Sequence, residues 1–278
     1  DATGEGGGSS DQGLVEELGL PECPFGAHLD ADGPIEIDFW HPYTGETSEA
    51  MDLLAADFNA SQDQIVVNSE AQGSYGELLS KYRESISFDD LPAIAITDEG
   101  AFRDMVDSAT VLPAQSCVEA EGFELSAIDE LVREFYSIDG ALYPAAMNVS
   151  TPVLYYNRDH FTEAGLDPDA PPSTLAEVRD AAQAIKDAGV AATPLSLLMQ
   201  GWFVETWLNG ADVPMVNAAN ARAGNATEAT FNGPEALELY TLLKEMNDAG
   251  LIVAFSNTPG QVSHYLAAAT PGAITDLL

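Results

Sequence analysis

The sequence predicts an α/β protein. Three observations carry this. Short strand-like runs alternate with helical runs between residues 35 and 106. After about residue 150 strand-rich patterning gives way to helices, as expected where a second lobe begins. The chain has 278 residues, of which 46% are hydrophobic, enough for one large domain or two modest ones. Strands that alternate with helices pair in parallel and are covered on both faces.

Each element has its own reason. Residues 1–13, DATGEGGGSSDQG, are small, polar and glycine-rich, a flexible tether. A poorly patterned lead-in, punctuated by Pro21, Pro24 and Pro34, completes the segment 1–33. Ile35, Ile37 and Phe39 alternate with Glu36, Asp38 and Trp40, which predicts a strand. From Thr47 to Asn59, Met51, Leu54, Ala55 and Phe58 recur at helical spacing. Ile65–Val67 is a second strand, and Tyr75–Ile86 a helix with Leu78, Leu79 and Tyr82 on one face. Ala93–Ile96 and Glu99–Val106 complete a β-α-β-α-β-α series.

Leu125–Tyr136 is a further helix. Residues 138–143 form a hairpin, because Asp139-Gly140 tolerates the positive φ angles of a tight turn, and Pro144 ends it. Thr151–Tyr156 is an apolar strand. Helices follow at about 158–164, 173–188, 201–208 and 234–249, with Ser173 or Thr174 as the cap of the second. No internal repeat is present.

Charge excludes whole classes of function. There are 46 Asp and Glu residues against nine Lys and Arg, a formal net charge of −37. Nucleic-acid backbones require clustered cations, so no nucleic-acid partner is expected. Anionic membrane surfaces repel such a chain too. The acidity fits high solubility and a saline habitat, where salt screens self-repulsion. No run of about 18 apolar residues is present to form a membrane helix. No charged and then apolar leader opens the chain, so any signal peptide is expected to have been removed already.

Cys23 and Cys117 fit neither a Cys-x-x-Cys pair nor a zinc site, and His28, His41, His160 and His264 are scattered, so no metal is expected. In an oxidising compartment the two cysteines can form a single intrachain disulfide; otherwise they are two thiols, with Cys117 in a loop. The run Asp30-Ala31-Asp32-Gly33 lacks the remaining ligands of a calcium loop and signals a turn.

Ligands of parallel sheets bind beyond the carboxyl ends of the strands. Those ends run into Trp40-His41-Pro42-Tyr43, Gln72-Gly73-Ser74-Tyr75 and Thr97-Asp98-Glu99. Aromatic faces beside carboxylates and hydroxyls suit sugars and polyols, with their apolar C–H faces and many hydroxyls. Tyr43, Tyr75 and Trp202 with Glu99 and Ser150 make such a set, while Trp40 and Tyr155 fit a core better. GxxxxGK[ST], HExxH, GxSxG and GxGxxG are all missing, and adjacent acids such as Asp89-Asp90 arise by chance among so many.

Residues 39–81, FWHPYTGETSEAMDLLAADFNASQDQIVVNSEAQGSYGELLSK, resemble the start of the extracellular solute-binding proteins, family 1, of bacterial ABC importers, nearest to the glycerol-3-phosphate-binding type. Asn148-Val149-Ser150-Thr151-Pro152-Val153-Leu154-Tyr155-Tyr156-Asn157-Arg158-Asp159 is similar to the family's lobe-crossing motif. Ala164–Pro168, Pro171–Thr174, Gln200-Gly201-Trp202, Asn209-Gly210, Phe231-Asn232 and Met246-Asn247 continue in register.

The resemblance implies a two-lobed, type II periplasmic-binding-protein-like α/β fold with parallel-sheet lobes, a hinge, and a truncated C-terminus, because family members run on past Leu278. It divides the chain into a tether and lead-in (1–33), an N-terminal α/β lobe (34–147), a mostly helical part of the C-terminal lobe (148–262) and a return crossing towards the first lobe (263–278). It matches Tyr75, Glu99, Ser150 and Trp202 to ligand-contacting positions, with Tyr43 on a nearby loop. Met199 stands where the family often has a Trp, and Asp98 where a Tyr precedes the Glu.

The implied protein is no enzyme and carries no cofactor. It is a monomeric receptor outside the cytoplasmic membrane, tethered by a lipid, that passes a polyol, sugar or glycerophospho compound, glycerol-3-phosphate or a glycerophosphodiester, to an ABC permease. A carbohydrate-active hydrolase and a non-transporting surface sugar-binding module are the alternatives.

Overall fold

The computed structural model describes residues 13–24, 26, 31–145 and 147–255, and the backbone of 274–277. The expected tether lies outside the described residues up to position 12. The chain divides into two compact units between Met147 and Asn148.

The first unit opens with α1 (Leu14–Leu18), then β1 (Ile35–His41), α2 (Gly45–Ser61), β2 (Ile65–Ala71), α3 (Tyr75–Ile86) and β3 (Ile94–Ala95). A 3₁₀ turn, Glu99–Ala101, leads into α4 (Phe102–Ser108). α5 (Ala114–Glu121), α6 (Glu130–Phe135) and a hairpin of β4 (Ser137–Ile138) and β5 (Ala141–Leu142) follow. The sheet is parallel in the order β2-β1-β3, with Ile35 opposite Ile65 and Trp40 opposite Ala95. Trp40, Leu78 and Tyr82 are buried together, backed by Leu91, Ala95 and Met105. The hairpin turn has Asp139 at φ 51° and Gly140 at φ 84°, as a two-residue Asp-Gly turn requires.

Three expectations here change. In α2 only Met51 and Ala55 are buried, while Leu54 and Phe58 are 57% and 43% exposed. A three-stranded sheet covers a narrow stripe of a long helix, so half of the apolar set stays outside. Leu125–Tyr136 is not one helix: a 3₁₀ turn at Leu125–Ala127 is separated from α6, whose cap is Asp129, accepting from Leu131 N at 2.9 Å. Cys117 lies inside α5, not in a loop, and is bonded to Cys23 with the Cα atoms 4.8 Å apart. The Val15 amide donates to Glu119 at 3.3 Å, so α1 is held to α5 by a hydrogen bond, and the segment after it is held by the disulfide.

The second unit contains β6 (Val153–Tyr155), α7 (Arg158–Glu163), α8 (Leu175–Asp187), β7 (Leu195–Leu198), α9 (Gly201–Gly210), α10 (Asn217–Ala221), α11 (Pro234–Asp248), β8 (Ile252–Phe255) and β9 (Ile274–Leu277). Thr174 caps α8 in a reciprocal box with Glu177. α10 is a single turn in which Ala218, Ala219 and Asn220 have positive φ. The sheet order is β6-β9-β7-β8; β7 pairs in parallel with β8 and β9, and β6 is antiparallel to β9.

The helical reading of this half omitted β7 and β8. Each is a four-residue run, LSLL and IVAF, too short to show a period. β7 is buried throughout, and Phe161, Ala182, Ile185, Leu195, Met246 and Leu251 pack into the main core. Tyr155, expected in the core, is 54% exposed, because along β6 it alternates with Leu154, the residue that packs on the core. The segment 263–278, expected to return to the first lobe, lies outside the described residues up to 273, and its Ile274–Leu277 pair inside this sheet.

Candidate functional site

Because β1, β2 and β3 are parallel, their carboxyl ends at His41, Ala71 and Ala95 share one edge. Two backbone bonds extend the pairing past the strands and fix the loops: Gln72 N to His41 O at 2.8 Å, and Ile96 N to Trp40 O at 2.9 Å. Gly73 then turns the chain at φ +92°, where a Cβ would lie 2.5 Å from the Glu77 carboxylate. Ser74 caps α3 by accepting from Glu77 N at 3.3 Å. This turn places Tyr75 at the first position of α3, on the rim.

Tyr75 meets Tyr43 edge to face, with ring centroids 6.2 Å apart at 83°. Burial pushes the Tyr75 phenol far above its ordinary range, helped by the neighbouring Tyr43 phenol and by the negative charges of Asp98 and Glu99. Tyr75 therefore keeps its proton and can both donate and accept. Asp98 is used locally: its carboxylate accepts from Ala101 N at 3.1 Å and caps the 3₁₀ turn that Glu99 opens. Glu99 is half-buried beside this corner. Tyr43, Tyr75 and the Asp98–Glu99 corner thus come together within the first unit.

Sequence reasoning missed Lys81. Its ammonium lies 3.8 Å from the Trp40 ring centroid, donates to Gln72 Oε1 at 2.9 Å and is 3.7 Å from Glu70. Its place on the Trp40-facing side of α3 was the available signal, weak because it depends on knowing which face meets the sheet. His41 was noticed on the rim but given no role. It is fully buried, 3.2 Å from Ser69 Oγ through Nε2, and desolvation holds its pKa below the ordinary histidine range, partly offset by Asp52.

Ser150 and Trp202 belong to the second unit. Ser150 is exposed in the irregular segment before β6. Trp202, the second residue of α9, is half-buried; it lies 5.3 Å from Phe203 at 76° and packs on Leu198, Phe203 and Phe255. Part of its surface therefore serves the core. Two apolar cavities of about 170 and 280 Å³ in this unit are lined by neither residue. Among the described residues no group of three or more His, Cys, Asp or Glu could hold a metal, and no helix is long and apolar enough to cross a membrane.

Residues 42–263 match the family model described as bacterial extracellular solute-binding protein. The chain belongs to that family. It is similar to the sn-glycerol-3-phosphate-binding periplasmic protein UgpB of Escherichia coli strain K12, 32% identical over 219 residues, covering 77% of this chain and 50% of that protein. It is similar in structure to UgpB from Mycobacterium tuberculosis, solved in complex with glycerophosphocholine, with TM-score 0.70 and 18% identity over 88% of this chain and 62% of that one. It is also similar to the cyclic alpha-maltosyl-1,6-maltose binding protein from Arthrobacter globiformis, with TM-score 0.59 and 25% identity over 88% of this chain and 60% of that one. The chain spans about half the length of the curated relatives it matches. The likeness to solved structures shows the fold, the two-lobed α/β class of periplasmic binding proteins.

Proposed function

We propose that this solute-binding chain captures a small hydroxyl-rich molecule, a carbohydrate, polyol or glycerophosphodiester, outside the cytoplasmic membrane and delivers it to an ABC permease. The observation that carries the reading is the Tyr43–Tyr75 pair beside Glu99 at the carboxyl rim of the first sheet. A protonated phenol and a carboxylate, set against aromatic faces, provide hydrogen bonds for hydroxyls and a flat apolar wall for C–H groups. Ser150 and Trp202 are the second unit's own candidate ligand contacts, a hydroxyl and an indole, and a ligand that favours one of two conformations would shift the protein towards it. No bond is broken in this cycle, so the protein acts as a receptor and not as an enzyme. It works as a monomer, and a lipid at the start of its glycine-rich tether keeps it at the cell surface.

The local charge bears on the ligand. Glu70, Asp98 and Glu99 surround a rim whose one identified cation, Lys81, is engaged by Trp40, Gln72 and Glu70. A neutral sugar or a zwitterionic glycerophosphodiester suits this field better than a bare phosphate monoester. Thermal-shift measurements with glycerophosphocholine, sn-glycerol-3-phosphate, maltose and glycerol test the reading. Stabilisation by glycerophosphocholine or maltose supports it. Release of products from any of these compounds would favour a hydrolase instead.

A further inference from the structure

We propose that His41 is a positioning residue for the ligand-facing tyrosines: its buried ring, held by Ser69, is the seat on which Tyr43 lies, and through Tyr43 it sets where the Tyr75 ring lies. The inference rests on the reading of Tyr43 and Tyr75 as ligand-facing. Phe39 and His41 occupy alternate positions along β1, so their side chains leave the backbone on one face, and the chain past the strand brings Tyr43 against His41. They form a stepped aromatic row running from the strand to the rim. Phe39 and His41 are 5.7 Å apart at 53°, His41 and Tyr43 are 5.9 Å apart and stacked at 22°, and Tyr43 meets Tyr75 at 6.2 Å. Trp40 leaves on the opposite face, into the core with Leu78 and Tyr82. The two faces of β1 thus carry separate structures, one for packing and one for the rim.

The choice of histidine at the middle step is informative. A fully buried imidazole loses hydration that a phenyl or leucyl side chain would never have had, so a purely space-filling role favours an apolar residue. What imidazole adds is orientation. The hydrogen bond it shares with Ser69 on β2, at 3.2 Å, fixes the ring about its own axis. A ring so fixed presents one defined face to Tyr43. Tyr43 lies two residues past the end of β1, where no strand pairing holds it, and its ring contacts with His41 and Tyr75 are its identified restraints.

The test uses the full chain with ring-carbon-labelled tyrosine, read by NMR, together with calorimetric titration of glycerophosphocholine and maltose. His41→Leu removes the ring, and His41→Phe keeps a ring without the Ser69 bond. In the unliganded protein, His41→Leu is expected to move the Tyr43 and Tyr75 signals and leave those of the second unit in place. It should weaken binding of whichever probe the wild type takes by about tenfold, and His41→Phe, which keeps a ring but loses the Ser69 bond, should recover only part of both effects. In a Tyr43→Ala background His41→Leu should weaken binding no further, since coupled residues are not additive. If His41→Leu does not fold, Ser69→Ala takes its place, with a smaller shift of the same two signals. A merely structural histidine would lower the melting temperature and leave the Tyr75 signal and the affinity unchanged at 25 °C, which overturns the proposal. Failure of the wild type to bind either probe would instead count against the receptor reading, and the tyrosine signals would still decide the role of His41.

Discussion

Removing the Cys23–Cys117 bond by changing Cys23 to Ser and Cys117 to Ala is expected to loosen the start of the first unit. The bond closes a span of 94 residues. In the chain-entropy model this corresponds to about 4.6 kcal/mol of stability at 25 °C, an upper figure because real denatured chains retain structure. α1 has five residues, too few to persist alone, and the hydrogen bond from Val15 to Glu119 is exposed. Urea unfolding of the first unit should shift down by on the order of 2 M, taking a slope of about 2 kcal/mol per M. Hydrogen exchange of the Leu14–Leu18 amides should rise to nearly that of an unstructured peptide. Unchanged protection of those amides together with an unchanged urea midpoint would refute the view that the disulfide is the main restraint on α1.

Other outcomes follow from the same geometry. Glu99→Gln should weaken ligand binding by about tenfold, because a charged acceptor is worth ~1.5–3 kcal/mol and the amide is a poorer one; calorimetry of the folded variant checks this. With a formal charge of −37, the melting temperature should rise by several degrees between 0.05 and 1 M KCl, as screening shortens from roughly 14 Å to about 3 Å; a flat or falling curve would contradict self-repulsion as a cost. His41 has a depressed folded-state pKa, so the unfolded chain binds its proton more readily, and the stability it contributes is present above about pH 6.5 and lost as pH falls below that value. The wild type should therefore lose stability relative to His41→Phe between about pH 6.5 and 5, read by urea midpoints at each pH.

Much of the first unit was legible because its signals are local. Ile35, Ile37 and Phe39 alternate over a full strand, Leu78 and Tyr82 mark the buried face of α3, and Asp139-Gly140 prescribes its hairpin. The rim followed from topology, since parallel strands send their carboxyl ends to one edge. What failed depends on partners distant in sequence. Leu54 and Phe58 have the spacing of a buried face, but burial is decided by the width of the sheet beneath them. Leu195–Leu198 and Ile252–Phe255 are apolar runs of four, and only their pairing with each other identifies them as strands. Asp98, a departure from the family pattern, acquires a reason once its capping bond to Ala101 is known. Lys81 and His41 escaped assignment because what they touch, Trp40 and Tyr43, is decided by tertiary packing and not by local pattern.

Titration calorimetry with glycerophosphocholine and maltose on the wild type, Tyr75→Phe and Glu99→Gln tests the central claim most directly. The rim described here predicts saturable binding of at least one of the two compounds with no turnover, weakened by about tenfold or more in Glu99→Gln and measurably in Tyr75→Phe, while both variants remain folded. Binding of equal strength in all three proteins, or no binding of either compound to the wild type, would contradict it.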